Sequence, residues 1–126
     1  MKIQEQGVNA RNLKEKIIEA IQNKRGRRIV TLDISKIENS ISDYFIICHG
    51  TSTTHVDAIA DSVIENIGKE LGEKPVHKEG RENLTWVLLD YENVVVHIFQ
   101  EEYRKFYNLE DLWADAHVET YQEENH

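Results

Sequence analysis

Cys48 and His49 are adjacent, a thiol beside an imidazole, the two groups that a covalent hydrolase uses as nucleophile and base. If a strand runs through them, their side chains leave on opposite faces and the activating contact cannot form. Cys48 then reads as a small buried apolar residue. Gly50-Thr51-Ser52 follows directly, and at a strand-to-helix turn its amides could hold a phosphate. The fuller glycine pattern and the Lys-Ser/Thr ending of a phosphate loop are missing, and a turn with a helix cap accounts for all three residues. The 6 histidines, His49, His55, His77, His97, His117 and His126, show no close His-His or Cys-His ligand spacing, so no metal is expected. Asp33, Asp43 and Asp90 lie near strand ends and could converge on magnesium. No tight Asp-x-Asp pair is present, however, and such residues more often stop strands or accept turn amides. No catalytic residue and no cofactor is assigned. A small transferase using Gly50-Thr51-Ser52 and the scattered carboxylates remains the alternative reading.

The stronger chemical signal is aromatic. Between Trp86 and Trp113 the chain reads WVLLDYENVVVHIFQEEYRKFYNLEDLW. Two apolar runs, Trp86 to Tyr91 and Val94 to Phe99, flank the polar pair Glu92-Asn93 and predict a hairpin. Alternation puts Trp86, Leu88 and Asp90 on one face with Val95, His97 and Phe99, a mixed set suited to partial exposure. Val87, Leu89, Tyr91, Val94, Val96 and Ile98 form an aliphatic set that reads as core. A helix should follow, with Tyr103 and Tyr107 four apart, as are Leu109 and Trp113. These rings either pack the last helix onto the sheet or form a docking face, since interface centres favour Trp, Tyr, Phe and Arg.

Other elements must position this region. Asn9 to Lys24 has helical spacing at Leu13, Ile17, Ala20 and Ile21, and Gly26 lies where the chain leaves the helix. Residues 28–34 predict a strand, 35–42 a polar connection and 43–48 a central strand covered on both faces. Residues 52–71 predict a second helix capped by Thr54 with Asp57, ended by Gly72 and followed by Pro75. Residues 76–79 suit a short strand. The strands at 43–48 and 85–91, joined through the second helix, suggest a right-handed crossover. The expected fold is a single α/β (α+β) domain over 1–126, a mixed β-sheet with flanking helices. Its core spans about 9–117, and 118–126 is expected to be a flexible acidic tail.

Composition narrows the partners. The 126 residues carry a net charge of −8, with 30% charged and 40% hydrophobic. No run approaches the ~18 apolar residues of a membrane helix, and the N-terminus lacks the apolar core of a secretion signal. One cysteine excludes an internal disulfide and fits a reducing cytoplasm. Nucleic acid would be repelled overall. The one basic cluster, Lys24-Arg25-Gly26-Arg27-Arg28, reads more simply as a helix end and turn. An acidic chain suits a basic protein partner better.

Taken together, Ser40 to Ser52 (SISDYFIICHGTS), Glu79-Gly80, Trp86 to Tyr91, Val96 to Phe99 and Tyr103 to Trp113 closely resemble the ribosomal silencing factor family, also called RsfS or Iojap-like. The resemblance runs from about Leu13 to Ala116. It implies a nucleotidyltransferase-like fold without its catalytic signature, and a non-enzymatic, cytoplasmic translational repressor. The implied action is binding to large-subunit ribosomal protein L-fourteen, which blocks joining of the small subunit when nutrients are scarce. A role in large-subunit assembly and homodimers in some members are implied as well. No membrane is expected, and no nucleic-acid contact beyond incidental ribosomal RNA. The positions carried over as partner-binding are Trp86, His97, Phe99, Tyr103, Arg104, Tyr107, Leu109 and Trp113. Asp90 and Glu102 are the acids best placed to meet basic side chains.

Overall fold

Asn9 opens the first helix by accepting the Asn12 amide on its side-chain oxygen at 2.8 Å, which satisfies one of the N–H groups a helix start leaves unpaired. The computed structural model describes residues 9–37, 42–112 and 116–123. Helix α1 (Ala10–Asn23) buries Leu13, Ile17, Ile18, Ala20 and Ile21 along one stripe. Arg25 turns left-handed at φ 59°, and the Gly26 amide donates to the Ile21 carbonyl. A Cβ on Gly26 would run into the Ile21 side chain, so the exit admits only glycine. Strand β1 (Arg27–Asp33) then returns antiparallel to β2 (Tyr44–Gly50).

Helix α2 (Thr53–Leu71) spans the expected residues to within one position, but its cap differs from the expected Thr54. Ser52, in extended backbone, accepts the His55 amide at 3.1 Å and is the cap; Thr54 is already inside the helix. Asp57, the expected capping partner, instead accepts from Arg81 at 2.6 Å, and Asp61 accepts from the same guanidinium at 2.7 Å. Gly72 ends the helix at φ 68°.

Strands β3 (His77–Glu79), β4 (Trp86–Asp90), β5 (Val94–Gln100) and β6 (His117–Tyr121) follow, and the described strands form one mixed sheet in the order β3-β4-β5-β2-β1-β6. β4 and β5 are the expected hairpin. The expected crossover is corrected in its partner: α2 connects β2 to β5, its parallel neighbour, while β4 lies one strand further out and antiparallel to β5. The VVVHIF run, buried along its whole length, takes an inner position with a strand on each edge.

The tail needs a correction too. Residues His117–Tyr121 form β6, paired antiparallel to β1 from Asp33↔His117 to Ile29↔Tyr121. The strand is largely exposed and holds one acid, Glu119, but Val118, Thr120 and Tyr121 are good strand formers, and pairing satisfies the outer edge of β1. Arg27 then reaches Glu123 at 3.1 Å.

The sheet has two unlike faces. Ile29, Ile46, Cys48, Val87, Leu89, Val94, Val96 and Ile98 point to the side covered by α1 and α2. Leu32, Ile34, Ile47 and Phe99 point to the other side, where Leu109 packs on them. The last helix is also split: α3 (Glu101–Tyr107) and α4 (Leu109–Leu112) meet at Asn108, left-handed at φ 50°. Asn tolerates that conformation, and its Nδ2 donates to Asp111 at 2.6 Å, so the continuous helix expected from the spacing does not form. Trp113 lies outside the described residues.

Candidate protein-docking face

Register places the second face in three rows across β4, β5 and β2. Trp86, Phe99 and His49 form one row, Leu88, His97 and Ile47 the next, and Asp90, Val95 and Phe45 the third. Helix α3 lies over the first row. Tyr107 sits 4.7 Å from the Trp86 ring and 6.2 Å from Phe99. The third row is left as the wall of an open groove of about 630 Å³.

Arg104 fastens α3 and α4 to the first row. Its Nη1 donates to the Arg28 carbonyl at 2.8 Å and to His49 Nδ1 at 3.0 Å, and its Nη2 donates to Glu110 at 2.6 Å. Guanidinium has no acceptor, so His49 Nδ1 must accept and the ring is neutral there. Burial first, then the Arg104 cation, push the His49 pKa down to about 4. Arg104 is itself buried, and its donors are spent inside the protein.

The sites expected to meet a partner therefore divide. Phe99, His97, Arg104 and Leu109 are buried in this chain and act as floor and fastening. Glu102, Tyr103 and Tyr107 are exposed, and Trp86 and Asp90 are half-buried. The mixed face is thus less exposed along β5 than alternation suggested: α3 folds back over Phe99, and the rings of Phe45, Trp86 and Phe99 pack around His97. Phe106 adds to the surface: it is 78% exposed, the most of any large hydrophobic residue described. It stands edge-on to Tyr107 at 5.2 Å, Tyr107 leans on Trp86, and Trp86 stacks on Phe99 at 4.9 Å. A run of rings leads from solvent into the second core. Phe106 fell outside the i, i+4 stripe of Tyr103 and Tyr107, and the clue to its exposure was that Arg104 takes the inward position of the helix.

The catalytic alternatives find no such assembly. Cys48 points into the first core, where burial raises its thiol to about 12, and His49 points to the other face. The Thr51 amide donates to His55 Nδ1 at 3.0 Å, and His55 Nε2 then donates to the Lys24 carbonyl at 2.8 Å. A histidine of the protein itself fills the turn that could have held a phosphate. Asp33 accepts from the Ser35 hydroxyl at 2.6 Å, which holds its pKa below the usual value, and Asp90 accepts the Glu92 amide at 2.7 Å. Among the described residues no three His, Cys, Asp or Glu side chains gather to hold a metal. No helix of those residues is long and apolar enough to cross a membrane.

Comparison with known proteins now decides the family. The model of the family "Ribosomal silencing factor during starvation" matches residues 8–126. This chain belongs to that family. It is 40% identical over 99 residues to the ribosomal silencing factor RsfS of Halalkalibacterium halodurans, covering 79% of this chain and 83% of the relative. With the RsfS of Bacillus subtilis it shares 43% over 97 residues, covering 77% and 80%. A crystal structure of a Chromobacterium violaceum protein superposes with a TM-score of 0.80 at 36% identity, covering 85% of this chain and 88% of that one. The family match takes in the segments that build the aromatic face.

Proposed function

We propose that this chain is a non-catalytic cytoplasmic repressor of translation that docks on ribosomal protein L-fourteen of the large subunit and blocks joining of the small subunit by its bulk. The observation that carries this reading is the Phe106–Tyr107–Trp86 array, exposed at one end and anchored in the core at the other. Rigid rings lose little conformational entropy when a partner covers them, and their burial supplies most of the affinity of such interfaces. Glu102 is on the helix that carries the array and Asp90 is at the far end of β4, within a chain of charge −8, so a basic ribosomal protein is attracted while bare ribosomal RNA is repelled. An interface of ordinary size, on the order of 1,600 Å² in total, suffices for stable docking. Exclusion of a second subunit then needs no chemistry, only a folded domain in the path.

Equilibrium binding to purified large subunits, small subunits and isolated L-fourteen tests this. Saturable binding to the large subunit and to L-fourteen, with none to the small subunit, is expected in the absence of nucleotide. Binding that requires nucleotide and magnesium would transfer the chain to the transferase reading.

A further inference from the structure

The groove beside the aromatic array contains a donor that folding leaves unmet. Trp86 Nε1–H donates to His97 Nδ1 at 3.1 Å, so Nδ1 is the acceptor nitrogen. A neutral His97 then carries its proton on Nε2, at the tip of a ring that lines the groove. His97 is only 4% exposed, and Nε2 has no hydrogen-bond partner and no contact with water. Buried polar groups are almost always paired, so an orphan donor beside a cavity calls for an acceptor brought from outside.

The rest of the groove describes the molecule that brings it. Leu88, Val95 and Phe45 give an apolar floor. Asp90 and Glu92 line the groove at the hairpin turn, and the Glu92 amide donates to Asp90 Oδ1, so two carboxylates stand at this end of it. An apolar floor ending in carboxylates matches a Lys or Arg side chain, whose methylene stem covers hydrophobic surface while its charge stays at the edge. The Trp86–His97 hydrogen bond makes the groove continuous with the aromatic array.

We propose that the groove receives an extended, basic segment of the ribosomal protein partner, which gives a backbone carbonyl to His97 Nε2–H and lays a Lys or Arg over Leu88 toward Asp90 and Glu92. The inference rests on the docking function above and extends it to a second, polar anchor. Because Nε2 is shielded in the free chain, the groove side chains part as the segment enters.

Three variants of the full chain, bound to purified large subunits, test the assignment. His97→Phe keeps the ring and removes the donor, while the half-buried Trp86 N–H can turn to water. It should weaken binding about tenfold or more, the loss of one well-formed buried polar anchor. His97→Gln keeps one acceptor and one donor and should restore most of the affinity. Glu92→Lys, at an exposed turn, should weaken binding about fivefold at low salt, with the difference shrinking as salt screens it. If His97→Phe fails to fold by circular dichroism, Glu92→Lys and the His97 Nε2–H proton resonance decide instead. That resonance should shift downfield when L-fourteen is added. Wild-type affinity in Glu92→Lys and in a folded His97→Phe, or an unmoved resonance on binding, would overturn the groove assignment while the docking function stands. If the wild type itself does not bind, the docking function fails and the groove assignment with it. A groove variant that instead abolishes self-association in sedimentation equilibrium would make a second copy of this chain the occupant and overturn the proposal.

Discussion

Phe99 and His97 lie two positions apart on β5 and face the same side of the sheet, yet they end in different halves of that face. Around Phe99 the face is closed: Arg104 ties α3 to β1 and β2, Leu109 packs from above, and Leu32, Ile34 and Ile47 complete a second small core. Around His97 it is open: no described helix lies over Leu88, Val95 and Asp90, and one ring nitrogen has no partner. The closed half is a fastened structure, and the open half together with the exposed rings of α3 is a surface. The difference lies in the placement of one guanidinium more than in hydrophobicity. Arg104 decides where α3 sits, and so which aromatic rings are roofed and which are presented.

The comparison can be broken most severely in the closed half. Phe99→Ala removes a fully buried ring and should cost about 3–5 kcal/mol in a urea unfolding titration. Arg104→Ala strips acceptors at Arg28, His49 and Glu110 of their shared donor and should cost about 3 kcal/mol, with α3 losing its protection from amide hydrogen exchange. Phe99→Ala acts on binding only through folding, whereas Arg104→Ala also releases α3 and the rings it presents. The same titration at lowered pH reads one histidine from each half. His97 is held near pKa 4 by burial, against 6.5 in the unfolded chain. The unfolded state therefore takes up the proton first as pH falls. Stability is complete above about pH 6.5 and declines toward pH 4, by at most on the order of 3 kcal/mol for this residue. His49 shifts in the same direction, and His97→Gln should flatten part of the slope. The smallest effect on stability belongs to the open side. Phe106→Ala should change unfolding by less than about 0.5 kcal/mol, and Tyr107→Ala by somewhat more, while each weakens large-subunit binding about tenfold. A Phe106→Ala protein that binds normally would remove the array from the docking face.

Periodicity made the hairpin, the first core and the ends of α1 and α2 legible to within a few residues, because Asn9, Gly26 and Gly72 mark real changes of backbone conformation. Alternation also assigned Val87, Leu89, Val96 and Ile98 correctly to the core. It was silent on what depends on long-range pairing. The strand β6 is short and runs into the acidic end of the chain, and it exists because β1 offers an edge. Helix spacing through Tyr103 and Trp113 assumed a continuous helix, and one left-handed residue, Asn108, ends that phase. A charged residue counted as a partner contact, Arg104, proves to be an internal fastening, since sequence gives no sign that three acceptors converge on it. The candidate docking face was legible as an aromatic and acidic region, while the division of its residues into buried and exposed required the third dimension.

The most direct test of the account is sedimentation of purified large and small subunits through a gradient at joining concentrations of magnesium, with increasing amounts of this protein. The account predicts that the protein travels with the large subunit and that joined ribosomes fall in proportion as it saturates. Undiminished joining, with the protein left at the top of the gradient or carried on fully joined ribosomes, would contradict it.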